Sequence, residues 1–173
     1  MPNSNVEMTD IERLSLINQF LILEKLYPEE ADYYEKNRIA LKQGYKAHYK
    51  TIFEHLWDEM SEESTKEVLD ILEMHRAITW SVADLAKNNE IKSKYVFRGF
   101  DGNEESEQLS YCHYFIVNLE RYQELVQNQE YPDFNSHCNM LPKYRRMLAV
   151  WKEEKEQYEL ELTLEQIEKI WSA

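Results

Sequence analysis

The sequence predicts an all-α fold, a compact multi-helix bundle of about six or seven helices, and three observations carry that prediction. Only 3 Gly and 4 Pro punctuate 173 residues, too few turn formers for a β protein of this length. Apolar residues recur at helical spacing over most of the chain, most clearly between Glu62 and Lys87. Two capping boxes, Thr9-Asp10-Ile11-Glu12 and Thr163-Leu164-Glu165-Gln166, announce helix starts: in each, the threonine takes an orphan N–H and the acid or amide three residues on reaches back to the cap. The length suits a single domain over residues 1–173, with 1–8 as a flexible lead.

The first helix runs from the Thr9 cap to Tyr27. Leu14, Leu16, Ile17, Phe20, Leu21, Ile22 and Leu23 make it apolar on so much of its circumference that a central position is expected. Pro28 stops it and opens a second helix, whose first turn sets Glu29, Glu30 and Asp32 against the positive dipole end. A break is expected at Gly44, then a third helix from Tyr45 to Met60 with Tyr49, Ile52, Phe53 and Leu56 inward. Ser61 caps the long helix, whose stripe is Val68, Ile71, Leu72, His75, Ile78, Thr79, Val82, Leu85 and Ala86; Asn88-Asn89 ends it. Ile91 to Asn103 has no helical period; Tyr95-Val96-Phe97 is at most one very short extended segment, and Gly99 with Asp101-Gly102 are turn formers. A fifth helix is expected from Glu104 to Gln127, burying Leu109, Cys112, Phe115, Ile116, Leu119 and Val126, followed by an irregular stretch from Asn128 to Leu141. Pro142 opens a sixth helix with Tyr144, Met147, Leu148 and Trp151 inside, and the Thr163 box starts a closing helix carrying Ile167 and Ile170.

A net charge of -13 repels phosphate backbones and anionic lipid at long range, which argues against a general nucleic-acid or membrane binder. Cys112 and Cys138 have no metal or redox spacing and read as two free thiols in a reducing cytoplasm. No window approaches the roughly 20 apolar residues that span a bilayer, and the first ten residues lack an apolar signal core.

Metal chemistry has little support. The residues three before the five histidines are Tyr45, Ile52, Leu72, Ser110 and Phe134, so no Glu-x-x-His pair exists, and His55 with Asp58 and Glu59 reads as a solvated acidic helix end. No metal or cofactor is expected. His75, on the apolar stripe, reads as a hydrogen-bonded core histidine rather than a base. Cys112 and His113 point about 100° apart on a helix and cannot act as nucleophile and base. The Arg-x-x-x-x-His spacing of small helical ribonucleases is met only by Arg13 and Asn18, and an amide is no general base; Asn18 reads as a structural hydrogen-bonding residue.

Two constellations remain. Arg38, Lys42, Lys46 and Lys50 repeat every four residues with Tyr45 and Tyr49 beside them, a stripe suited to phosphate contact and base stacking, or to an ordinary solvated face. Asp101, Asn103 and Glu104 in the first loop, Asn135 and His137 in the second, and Arg146 just after it would suit an anion or nucleotide if the loops converge. The structural alternative makes Asn103 a helix cap and Asn135 the head of an Asx-turn.

Met8-Thr9, Arg13-Leu14, Asn18-Gln19, Gly44-Tyr45, Ile71 and Met74 stand in an ordered series with Phe97-Arg98-Gly99-Phe100-Asp101, Tyr111, Phe115 and Phe134-Asn135. Lys143-Tyr144-Arg145-Arg146-Met147-Leu148 and Trp151 complete it. With this series the chain resembles the bacterial YfbU family nearly end to end. The resemblance implies a helical, bacterial, cytoplasmic, self-associating protein from a family without an established activity.

Aromatics make up 13% of the chain, with 12 Tyr, more than a core of this size needs. The leading expectation is therefore a non-enzymatic interaction module that forms a homo-oligomer, a dimer or higher. The alternatives are a hydrolase or binder of a phosphorylated or nucleotide-like ligand at the loop cluster, and weak RNA or single-stranded DNA binding along the basic stripe.

Overall fold

Both capping boxes form as read. Thr9 Oγ1 accepts from the Glu12 amide at 3.3 Å while the Glu12 carboxylate accepts from the Thr9 amide at 2.7 Å, and α1 (Asp10–Leu26) starts there. The computed structural model describes residues 6–85, 94–126, 133–154 and 161–173; among them are seven α-helices and no β-strand. The chain divides into two compact units, Met1–Glu59 and Met60–Ala173, each with its own apolar core.

In the first unit, Pro28–Glu30 forms a 3-10 turn that leads into α2 (Ala31–Gln43). Gly44 ends α2 at φ 73, a left-handed conformation that glycine adopts without Cβ strain. Arg13 of α1 helps close that end: its Nη2 donates to the Leu41 carbonyl at 2.7 Å. α1 packs on α2 around Phe20, Leu41 and Tyr49, and Val6 and Met8, read as flexible, pack there too.

The expectation that α1 is central fails. Of its residues only Phe20 is buried, and the reason is geometric. The helix is apolar on two opposite faces, Leu16, Ile17, Phe20 and Leu23 on one and Ile11, Leu14, Leu21 and Ile22 on the other. A hairpin with α2 covers one of them. The third helix is also shorter than expected. After a 3-10 turn at Lys46–His48, α3 spans only Tyr49–Ile52, and Leu56 is exposed. A helix carried on to Met60 would place Glu54, Asp58 and Glu59 at its negative dipole end.

In the second unit, Ser61 Oγ accepts from the Ser64 amide at 3.0 Å and starts α4 (Glu62–Leu85). Val68, Ile71, Leu72, His75, Ile78 and Val82 are buried as the stripe predicts, joined by Met74, Ala77 and Ser81, while Thr79 is half-buried. Ala86 to Ser93, including the Asn88-Asn89 stop, lies outside the described residues. α4 is covered by α5 (Ser106–His113), α6 (Leu141–Glu154) and α7 (Leu164–Trp171). Tyr144, Met147, Leu148 and Trp151 of α6 and Ile167 and Ile170 of α7 are buried as expected.

The expected fifth helix to Gln127 stops early. α5 widens into a π turn at Tyr114–Asn118, the chain turns at Glu120 (φ 54) and Tyr122 (φ 49), and a 3-10 turn follows at Gln123–Leu125. The Gln123 side chain donates to the Ile116 carbonyl, satisfying a group that a continuing helix would have used. Leu119, expected inside, is exposed. Tyr95 and Phe97 are buried without forming a strand, and the one isolated bridge among the described residues, parallel, joins Phe100 to Asn135.

Candidate functional site

The two irregular stretches meet at that bridge. The Phe100 amide donates to the Phe134 carbonyl at 2.9 Å, and the Ser136 amide donates to the Phe100 carbonyl at 3.0 Å. Gly99 makes the crossing possible: a Cβ there would stand 1.7 Å from the Phe134 oxygen. Tyr144 Oη of α6 donates to the Gly99 carbonyl at 3.0 Å and pins the same strand of chain from below.

Of the polar candidates, Asp101 and Asn135 meet here, and each gives a side-chain oxygen to backbone amides. Asp101 is buried, and its Oδ1 accepts from the amides of Asn103 at 2.8 Å and Glu104 at 2.9 Å. Asn135 Oδ1 accepts from Gly102 at 3.1 Å and from His137 at 3.0 Å, the second contact being the expected Asx-turn. Asp101 thus heads the turn before α5, whose N-cap position is Glu105 with no side-chain cap bond, and the expected cap Asn103 is exposed along with Glu104 and His137. Arg146 donates from Nη1 to the Pro142 carbonyl at 3.0 Å and from Nε to the Ala173 carbonyl at 2.5 Å. Phe134 (φ 51) and His137 (φ 54) hold left-handed backbone on either side of Asn135, a conformation that costs a non-glycine residue of order 1 kcal/mol.

The residue that organises this junction, Glu105, follows directly after the stretch read as a turn. It is buried, and its Oε1 accepts from Met140 at 2.8 Å and Leu141 at 2.5 Å while Oε2 accepts from Asp101 at 2.9 Å. Its carboxylate thus closes the N-terminus of α6, where a negative charge opposes the positive dipole end. A signal was present, since Asp101 and Glu105 lie four apart just before a helix, but the partner at Met140 is too distant in sequence to infer.

His75 lies in the core as read, without the expected hydrogen bond: neither ring nitrogen has a partner among the described residues. Its ring sits 4.9 Å from Phe97, 5.0 Å from Tyr144 and 6.0 Å from Trp171, centroid to centroid. Burial, helped by the Lys143 charge, lowers its pKa to about 3. Above pH 6.5 the folded and unfolded chains both carry a neutral ring. Below it the unfolded chain takes up a proton that the folded one refuses, so stability falls as the pH drops from about 6.5 toward 3. The expected slope is about 1.4 kcal/mol per pH unit. Urea titrations between pH 7 and 4 test this, and a His75→Phe variant should flatten that limb; an unchanged slope in the variant would assign the loss to other groups.

The basic stripe is split by the Gly44 turn. Arg38 is ion-paired with Glu24 and lies 3.5 Å from Glu35, Lys46 is 3.9 Å from Glu7, and Lys42 and Lys50 are exposed. Tyr45 is exposed, but Tyr49 is part of the core. Cys112 is buried, which pushes its thiol pKa up and makes it unreactive, and Cys138 is exposed.

Two further features escaped the sequence reading. Arg76 of α4 is held between the rings of Trp80 at 3.9 Å and Tyr122 at 4.3 Å and pairs with Glu124 at 2.5 Å. The i, i+4 spacing of Arg76 and Trp80 was its only local sign. An open groove of about 610 Å³ runs past Ser61, Glu63, Lys66, Glu67, Asp70, Arg145 and Lys152, and four of these charges are matched in two pairs. Arg145 makes a bidentate contact with Glu67 at 2.7 and 2.9 Å, holding that carboxyl below its usual pKa, and Lys152 meets Asp70 at 2.7 Å. Among the described residues no three His, Cys, Asp or Glu side chains form a metal-sized group, and no helix is long and apolar enough to cross a membrane.

Residues 6–173 match the model of the YfbU domain. Over 149 residues, 84% of this chain and 88% of the relative, the sequence is 34% identical to the UPF0304 protein MJECS11 of Methanocaldococcus jannaschii. That relative is archaeal, so the kinship is not confined to bacteria. The match runs through both units and through the loop junction at Phe100 and Asn135, and the chain belongs to the YfbU family.

Proposed function

We propose that the chain acts by contact rather than catalysis, as a self-associating interaction module of the cytoplasm. The observation that carries this reading is the outward face of α1. Ile11 is 82% exposed, Leu26 64%, Leu14 59%, Ile22 58% and Leu21 46%. Isolated exposed apolar residues are ordinary, but a contiguous row along one helix face costs roughly 25 cal/mol for each Å² left in water, and such rows mark interaction surfaces. The unpaired cysteines suit a reducing compartment.

The loop cluster supports a hydrolase less well, because the Asp101, Glu105 and Asn135 oxygens already serve backbone donors. The basic stripe supports nucleic-acid binding less well, because two of its four cations face carboxylates. Size exclusion with light scattering should give at least twice the 21.0 kDa chain mass at micromolar concentration. A strict monomer there would overturn the reading.

A further inference from the structure

We propose that α1 packs antiparallel against α1 of a second copy, with the Asn18 side chains of the two copies meeting at the two-fold axis. The inference rests on the self-association reading and specifies its surface and geometry.

The outward row is Ile11, Leu14, Asn18, Leu21 and Lys25, spaced three, four, three and four residues apart, with Ile22 and Leu26 along its edge. That alternation is the seam of paired helices, and a single amide in an apolar seam sets register. Asn18 was expected to serve α1's own structure. It is exposed and has no side-chain partner among the described residues. A carboxamide both donates and accepts, so two copies related by a two-fold axis satisfy each other.

The charges choose the orientation. Asp10 lies at one end of the row and Lys25 near the other, and Asp10 remains almost fully exposed beside its Arg13 contact. A parallel pair would stack Lys25 on its copy and bring the two Asp10 side chains together, with the helix dipoles aligned unfavourably. Turned antiparallel about Asn18, each residue meets the one equally far on the other side. Leu14 meets Ile22, Ser15 meets Leu21, and the Lys25 stem lies on Ile11 with its ammonium beside Asp10. Large residues face large or small ones without a like-charge contact, as a self-complementary interface requires.

The test uses the full chain carrying Cys138→Ser, which removes the exposed thiol and leaves buried Cys112 in place. Asn18→Cys should cross-link with itself under mild diamide oxidation, which reports the face. Leu14→Cys and Ile22→Cys chains, mixed and left to exchange, should give at least about tenfold more disulfide dimer than either alone, which reports the orientation. Independently, Leu21→Glu should weaken dimerisation at least about tenfold by light scattering on dilution. These substitutions sit on the face turned away from α2. Self-cross-linking of Leu14→Cys that matches or exceeds the mixture would overturn the antiparallel pair. A dimer that ignores Leu21→Glu and yields no cross-link at residue 18 would overturn the surface. Both results leave self-association standing. A monomeric parent would remove both readings, as would a monomer whose residue-18 thiol is shielded from maleimide, since the face would then be covered within the chain.

Discussion

Replacing Gly99 with alanine is expected to unfold the Met60–Ala173 unit, or to cost it at least about 4 kcal/mol. The added Cβ would lie 1.7 Å from the Phe134 oxygen, 2.4 Å from its carbonyl carbon and 2.8 Å from its Cα, all backbone atoms with no rotamer to escape into. The φ of 80 adds strain of its own for any residue with a side chain. Relief is blocked on both sides, because the same Phe134 oxygen holds the Phe100 amide at 2.9 Å and the Gly99 carbonyl is held by Tyr144 at 3.0 Å. Gly102→Ala is the control: its new Cβ would meet the Asn135 side chain at 2.9 Å, a group that can shift, so a loss of about 1 to 2 kcal/mol is expected. Denaturant unfolding of both variants decides the matter. A Gly99→Ala protein within about 1 kcal/mol of the parent would mean that the two loops do not cross as described.

The features legible in the sequence are those decided within a few residues. The Thr9 and Thr163 boxes, the Gly44 stop and the α4 stripe depend on neighbours three or four positions away, and each is where the pattern puts it. Periodicity records which residues are apolar and is silent on what covers them. For that reason α1 looks central in sequence and in the structure turns half its apolar surface outward. The end of α5 was hidden differently. Apolar residues continue through Leu119 and Val126, but a π turn shifts the register and puts Leu119 on the outside.

The candidate site was half legible for a related reason. Asp, Asn and Gly between helices signal turn chemistry, and the two loops do meet. Which oxygen serves which amide depends on partners such as Gly102 with Asn135, 33 residues apart. Composition can name Asp101 and Asn135 as polar loop residues; only the fold shows that their acceptors are already engaged. The Tyr surplus resolves in part into core and ring contacts, with Tyr49, Tyr95 and Tyr144 buried, and in part into the exposed Tyr27, Tyr33, Tyr45 and Tyr114.

Glu105→Ala is expected to cost about 3 to 5 kcal/mol, although the residue is not among the site candidates that the sequence suggests. Its carboxylate is 1% exposed and accepts three backbone amides, from Asp101, Met140 and Leu141. Alanine removes all three acceptors and supplies none, and each stranded N–H in a buried site costs about 1 to 3 kcal/mol, reduced where water enters the vacated volume. Glu105→Gln separates charge from shape. One oxygen still accepts from Met140 and Leu141, but the amide nitrogen then faces the Asp101 amide, donor against donor, so roughly half the alanine loss is expected. The position of the damage is as diagnostic as its size. Because Glu105 joins the first loop to the start of α6, hydrogen exchange in the alanine variant should accelerate first at Met140, Leu141 and Asp101 while the middle of α4 stays protected. A loss below about 1 kcal/mol, or faster exchange confined to α5, would show that the α6 terminus finds its acceptors elsewhere. The expected pattern instead makes one buried carboxylate the link between the two loops and the helix behind them.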